Sequence, residues 1–180
     1  PDNTAVGRAL KTYPDKFYGW VFVNPRAADP IAELERRVGH PGWIGVKAHP
    51  FWHRYPISAL DETARWCQER NWPLLIHLGG DGQTGDFSYL PSRHHRLKIL
   101  YAHAGVPFYR DVWEFAAGRE NVLVDLSNAM YVIPSLLVQA VRAMGARRCI
   151  WGTDGPYGRI DRNGQIARIR SLGISEADQR

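Results

Sequence analysis

Three apolar runs in this 180-residue chain each end in a side chain able to hold a metal or move a proton, followed at once by glycine or a turn. They are Pro73-Leu-Leu-Ile-His77-Leu-Gly-Gly80, Lys98-Ile-Leu-Tyr-Ala-His103-Ala-Gly105 and Cys149-Ile-Trp-Gly-Thr-Asp154-Gly-Pro156. Each reads as a buried parallel strand whose last inward side chain is His77, His103 or Asp154. Two imidazoles and a carboxylate on one rim would make a metal-assisted hydrolytic site, because these are ordinary zinc ligands and bound metal lowers the pKa of water to about 7. Each residue also has a bland reading. Either histidine suits a core imidazole bonded to a backbone carbonyl, and Asp154 suits a turn capping the loop that follows it.

A fourth run, Gly45-Val-Lys47-Ala-His49-Pro50, ends the same way. Lys47 and His49 are two apart and share one strand face. If that face is the interior one, a buried lysine needs a reason. It binds a substrate carboxylate, is carboxylated to bridge two metals, or pairs with Asp125 in the strand-like Val122-Leu-Val-Asp-Leu. Phe51, Trp52, His53 and Arg54 follow, an aromatic loop with cations that suits a planar anionic ligand or packs as an ordinary lid. The Gly79–Gly85 loop reads as a mobile lid and lacks the Gly-Lys-Ser/Thr ending of a phosphate loop.

The elements that must position these residues alternate. Strands are expected over 17–24, 43–49, 74–77, 97–103, 121–127 and 148–153. Helices are expected over 4–13, 30–38, 58–71, 109–117, 134–144 and 165–172, with Asp29-Pro30 as cap and first turn of the second and a further helix capped by Ser175. A long polar loop covers 79–96. Alternation of this kind predicts a parallel sheet, closed as a barrel or open and doubly wound. No Gly-x-Gly-x-x-Gly follows a strand, and ligand-type residues on many strand ends favour the barrel rim.

Composition narrows the class. A chain of 180 residues with 44% hydrophobic residues is expected to form a single domain spanning 1–180. No stretch is apolar enough to span a membrane and no signal peptide is visible. Cys67 and Cys149 read as reduced, packed thiols, which suits a cytoplasmic location. The net charge of +5 is spread along the chain. Without a recognised module it argues against nucleic acid and fits a small anionic substrate.

The motifs together resemble the second amidohydrolase family, the aminocarboxymuconate-semialdehyde decarboxylase-like metal-dependent (β/α)₈ barrels. The resemblance rests on Gly45–Pro50, Ile76-His-Leu-Gly79, Ala102-His-Ala-Gly105 and Gly152-Thr-Asp-Gly-Pro156, in order and each at a strand end. It implies a TIM barrel whose third to eighth strands are those visible here, with the first two strands and the terminal helix missing from this chain. It implies His77 and Asp154 as metal ligands, and His103 as the histidine that holds or activates the water. The family's His-x-His ligand pair has no counterpart among the seven histidines.

The expectation is therefore a hydrolase acting on an ester, lactone or amide by a metal-activated water. His103 and Asp154 are catalytic, His77 and Asp154 hold the metal, and Lys47, His49 and Arg54 bind substrate. Zinc is the expected metal, with manganese also suited to the N/O set. The alternatives are non-oxidative decarboxylation of an aromatic or muconate-like acid and, in another class, a non-catalytic barrel fragment that binds a ligand or partner. An unpaired sheet edge predicts self-association into a homo-oligomer.

Overall fold

A computed structural model describes residues 3–157, 162–177 and 179. Its strands are β1 (Gly19–Phe22), β2 (Trp43–Ala48), β3 (Leu74–Ile76), β4 (Ile99–Tyr101), β5 (Val122–Asp125) and β6 (Cys149–Ile150). They form a six-stranded sheet in chain order, parallel in the pairings β1–β2, β2–β3 and β5–β6. A doubly wound sheet reverses its strand order at a switch point, whereas a (β/α)₈ barrel adds each strand beside the last. The unbroken order is that of the barrel. The chain divides into two compact units, Pro1–Ile99 and Leu100–Arg180, so the boundary falls within β4.

In the first unit, helix α1 (Asn3–Thr12) precedes β1, and Asn3 ties the two by accepting from Phe22 N–H at 2.8 Å and donating to Phe22 O at 2.9 Å. Asp29 caps α2 (Pro30–Glu35) through Ala32 N–H at 2.8 Å, with proline in the first turn as the sequence predicts. One sheet face is sealed: Val21, Val46, Ala48, Leu74 and Ile76 have no exposed surface. The alternate residues Trp20, Phe22, Lys47 and Leu75 are half-buried, and the register sets Phe22 beside Lys47 and Lys47 beside Leu75. Trp20 pairs with Gly45, where a Cβ would sit 2.4 Å from the indole, so the glycine is a steric requirement.

In the first unit, local chemistry departs from the sequence reading in four places. The aromatic loop after β2 begins as a helical turn, α3 (Pro50–His53). The helix expected over 58–71 is a 3₁₀ turn, Ile57–Leu60, running into α4 (Asp61–Glu69). The polar loop over 79–96 contains α5 (Tyr89–Arg93), whose Leu90 is fully buried. The Gly79–Gly85 segment is a closed turn: Asp81 accepts from Gln83 N, Thr84 N and Thr84 Oγ1 at 2.9, 2.8 and 2.7 Å, and Thr84 packs on Gly79. Gly79 N–H and Gly85 N–H close it on the carbonyls of Thr84 and Asp81, each at 2.9 Å, and Gln83 O accepts Ile57 N–H at 2.9 Å, which opposes the mobile-lid reading.

In the second unit, α6 (Tyr109–Phe115) and α7 (Pro134–Met144) separate β4, β5 and β6, and α8 (Arg162–Arg170) follows. The strand expected over 148–153 shrinks to Cys149–Ile150, preceded by a 3₁₀ turn at Ala146–Arg148. Arg148 spends its guanidinium on the carbonyls of Met144, Ala116 and Arg119, which fixes that turn. Ser175 accepts Gln179 N–H through its carbonyl at 3.1 Å and leads a turn rather than a helix, while Asp178 lies outside the described residues. Cys67 and Cys149 are free thiols, as expected, and burial pushes both up to about 12. No helix among the described residues is long and apolar enough to cross a membrane.

Two measurements check these local arguments. Asp29→Ala should lower stability by about 1 kcal/mol in urea titrations, the usual cost of a lost N-cap. Asp61, bonded by Arg93 Nε at 2.8 Å and by His94 Nε2 at 3.0 Å, has its carboxyl held below the ordinary 3.8 by those bonds. A lowered carboxylate contributes stability that is present above the unfolded value and lost as pH falls through the folded one. Asp61→Asn should therefore lower stability by about 1 kcal/mol or less near neutrality and flatten the acid limb below about pH 4.

Candidate active site

The predicted residues fall at strand ends in both units. His77 follows β3 in the first, and its Nδ1 lies 2.9 Å from the carbonyl of Leu78. A carbonyl only accepts, so Nδ1 carries the proton and Nε2 the lone pair. That is the tautomer a metal-binding imidazole needs, fixed by its outer hydrogen bond. It is also what the bland reading of His77 described.

His49 follows β2 and takes a different part. Its Nδ1 accepts Trp52 N–H at 3.3 Å, which makes it the N-cap of α3, so its proton sits on Nε2. The ring is 7% exposed and lies between Trp52, at 4.2 Å and 12°, and His77, at 4.4 Å and 17°. Burial, with the charges of His77 and Lys47 beside it, pushes the imidazole down to about 3, so it is neutral. Tyr55 Oη accepts His49 N–H at 3.0 Å and is fully buried, which anchors the strand end. Lys47 is half-buried on the same strand. Arg54 is exposed in a left-handed conformation, φ 50°, closing α3, and its carbonyl accepts Arg26 Nη2 at 2.7 Å.

The second unit brings His103 and Asp154 together and adds three residues that the sequence reading did not place in the site. Asp125 Oδ1, at the end of β5, accepts His103 N–H at 3.1 Å, Ser127 N–H at 2.9 Å and Ser127 Oγ–H at 2.5 Å. Because the hydroxyl proton goes to Asp125, Ser127 Oγ accepts from His103 Nδ1 at 2.9 Å. In the neutral imidazole His103 therefore presents the lone pair of Nε2, and that atom lies 3.7 Å from Asp154 Oδ2. Asn128 Nδ2 donates to that same oxygen at 2.8 Å.

The backbone around this group is unusual. His103, Ala104, Asn128 and Asp154 have φ between 53° and 60°. At Gly152 a Cβ would meet the Cβ of Ser127 at 3.0 Å, so glycine before Asp154 leaves room for the serine. Tyr131 covers His103 at 5.2 Å between ring centroids. The signal for Asp125 and Ser127 was present in the sequence: two polar residues at alternate positions ending an apolar strand share one face.

Among the described residues, no three His, Cys, Asp or Glu side chains gather into a metal-binding group. Taken singly, the His77 imidazole of the first unit and the Asp154 carboxylate of the second are donors of the kind a divalent metal takes, and catalytic zinc usually has three such protein ligands.

A family profile described as Amidohydrolase matches residues 2–167, and the chain belongs to the amidohydrolase family. Members of this family are enzymes and are generally metal-dependent. No curated protein matches significantly. Solved structures do. An uncharacterised TIM-barrel protein from Bordetella bronchiseptica is 19% identical with a TM-score of 0.81, over 99% of this chain and 67% of its own. A probable 2-pyrone-4,6-dicarboxylic acid hydrolase from Acinetobacter baumannii, with citric acid bound, is 19% identical with a TM-score of 0.73, over 99% and 74%. An amidohydrolase from Burkholderia multivorans with bound zinc is 14% identical with a TM-score of 0.70, over 99% and 75%. At these identities the likeness establishes the TIM-barrel fold, of which this chain carries six parallel strands.

Ser127→Ala removes the hydroxyl that sets the His103 tautomer. The Nδ1–H form of His103, read from its ring-nitrogen shifts by NMR, should lose its dominance. Turnover should fall by roughly 10-fold to 100-fold, the usual effect of removing an outer hydrogen-bond partner. An unchanged tautomer ratio would break the Asp125–Ser127–His103 argument.

Proposed function

We propose that this chain is the catalytic barrel of a metal-dependent hydrolase that cleaves an ester, lactone or amide bond of a small anionic substrate. The observation that supports it most is the Asp125–Ser127–His103 chain, which in the neutral imidazole puts the proton on Nδ1 and turns the Nε2 lone pair to Asp154. His77 and Asp154 would hold the metal, zinc first and manganese next for this nitrogen and oxygen set. When bound, the metal would polarise the scissile carbonyl and acidify water.

The chain's own residues supply the proton handling. His103 Nε2 takes the proton of an attacking water, and the resulting imidazolium keeps its Nδ1–H on Ser127, whose hydroxyl passes the stabilisation to Asp125. Asn128 holds Asp154 in place and leaves the carboxylate to share that proton. Lys47 and Arg54 offer cationic groups to a substrate carboxylate, and His49 Nε2–H offers a donor. An anionic substrate accords with the net charge of +5 and with the neighbour named for a dicarboxylic acid.

The test pairs elemental analysis with turnover. The protein should carry about one zinc or manganese per site and open lactones or esters of carboxylic acids, and His77→Ala should lose the metal. His103→Asn should keep the metal and lose roughly 10²-fold to 10⁴-fold in kcat, the range for a missing general base. Release of carbon dioxide from an aromatic or muconate-like acid without ring opening would move the same residues to decarboxylation. Absence of both metal and turnover would leave a ligand-binding barrel.

A further inference from the structure

A groove of about 520 Å³ opens in the first unit, away from the strand ends that carry His49 and His77. It is lined by Pro41 and Trp43, at the start of β2, whereas His49 follows that strand's far end. Six residues of strand separate the two, or about 20 Å at the usual rise per residue. The groove's floor is apolar, formed by Leu10 at 5% exposure and Trp43 at 8%. Gly7 contributes no side chain there, and a Cβ at that position would stand 3.4 Å from Arg37 Nη1 and 3.7 Å from the Trp43 ring. Glycine inside a helix costs about 1 kcal/mol relative to alanine, so α1 gives up helix stability where it lines the groove.

The walls are basic. Arg8 and Lys11 come from α1, and Arg36, Arg37 and His40 from the end of α2 and the turn after it. Arg36 and Arg37 are already oriented: Glu33 accepts Arg36 Nη2 at 2.6 Å and Arg37 Nε at 3.3 Å, and the Arg37 guanidinium lies 5.5 Å above the Trp43 ring. Arg8 and Lys11 are exposed, three apart on one helix face. Four permanent cations thus converge on one short groove, with the carboxylate of Glu33 bonded to two of them.

We propose that this groove is a second ligand site, specific for a small soluble polyphosphate or phosphate ester. Phosphate oxygens offer several acceptors in a small volume and suit guanidinium forks held at fixed angles. The volume lies within the range of small-molecule sites and accommodates a diphosphate with an organic group over the Leu10–Trp43 floor. A nucleic acid strand needs cations strung along its backbone, whereas these converge on one recess.

The probe is inorganic pyrophosphate, titrated into the full protein at low salt by calorimetry and by thermal shift. Saturable binding and a raised melting temperature are expected, because a ligand held by the folded state alone stabilises it. Arg8→Glu/Lys11→Glu, both on exposed positions, should weaken binding by tenfold or more. Arg110→Glu/Arg142→Glu, an equal charge change on exposed positions elsewhere, should leave it within about twofold. Gly7→Leu should block the groove without altering charge and abolish binding. Equal weakening by both charge-reversal pairs, equal affinity for sulfate, tighter binding of single-stranded RNA than of pyrophosphate, or no binding at all would each overturn the proposal. Metal loading and turnover at His77, His103 and Asp154 are read separately, so failure here leaves the hydrolase reading untouched.

Discussion

One carboxylate oxygen organises the second unit. Asp125 Oδ1 accepts the backbone N–H of His103, the backbone N–H of Ser127 and the hydroxyl of Ser127. The first bond fixes where the chain turns after β4, the second fixes the turn after β5, and the third fixes the direction of the serine proton. The tautomer of His103 follows from that direction alone. Asp125 is 13% exposed in its side chain, and a carboxylate taken so far from water needs this full set of donors. Structure and chemistry are the same set of bonds here: the donors that make the buried charge tolerable are the ones that place the proton of a neutral His103 on Nδ1.

The first unit solves a related problem by stacking. His49 and His77 follow adjacent strands. Trp52, His49 and His77 lie nearly parallel, and each imidazole spends its Nδ1 on the backbone, His49 as acceptor and His77 as donor. The opposite use of the same atom gives the two histidines opposite Nε2 chemistry. His49 is left a donor and His77 a lone pair. Two imidazoles at equivalent strand ends therefore have different capacities, and His77 is the one suited to bind a metal.

The sheet was legible because its strands are apolar runs with β-branched cores, bounded by glycine or proline. Their order followed from alternation with helices, and α7 was recovered at the predicted bounds because Pro134 opens it and Gly145 ends it. What escaped the sequence depends on local hydrogen bonds. The cap of α3 is an imidazole, outside the usual serine, threonine, aspartate and asparagine set. The helix α5 is five residues in a polar segment, too short for a period to emerge. His77, His103 and Asp154 stood out because each ends a strand in a ligand-type side chain. Asp125 and Ser127 lie at such an end too, but their meaning depends on β5 lying near the turn after β4, and no spacing along the chain encodes that.

The left-handed residues show what this arrangement costs. His103, Ala104, Asn128 and Asp154 adopt φ values that L side chains avoid, at about 1 to 3 kcal/mol each in the general case. Such conformations persist only where the surroundings over-determine them. At His103 the backbone N–H is held by Asp125 and the ring by Ser127, and Trp113 Nε1 holds the carbonyl of Ala104 at 2.9 Å. At Asn128 the side-chain oxygen closes on Met130 N at 3.0 Å while its amide holds Asp154. Every strained residue in this group is pinned by a bond from a neighbour on a different loop or helix, or donates one itself. A fold selected for stability alone would relax these positions with glycine. Keeping His, Asn and Asp there, with the bonds needed to hold them, accords with the proposed role of these strand ends in chemistry.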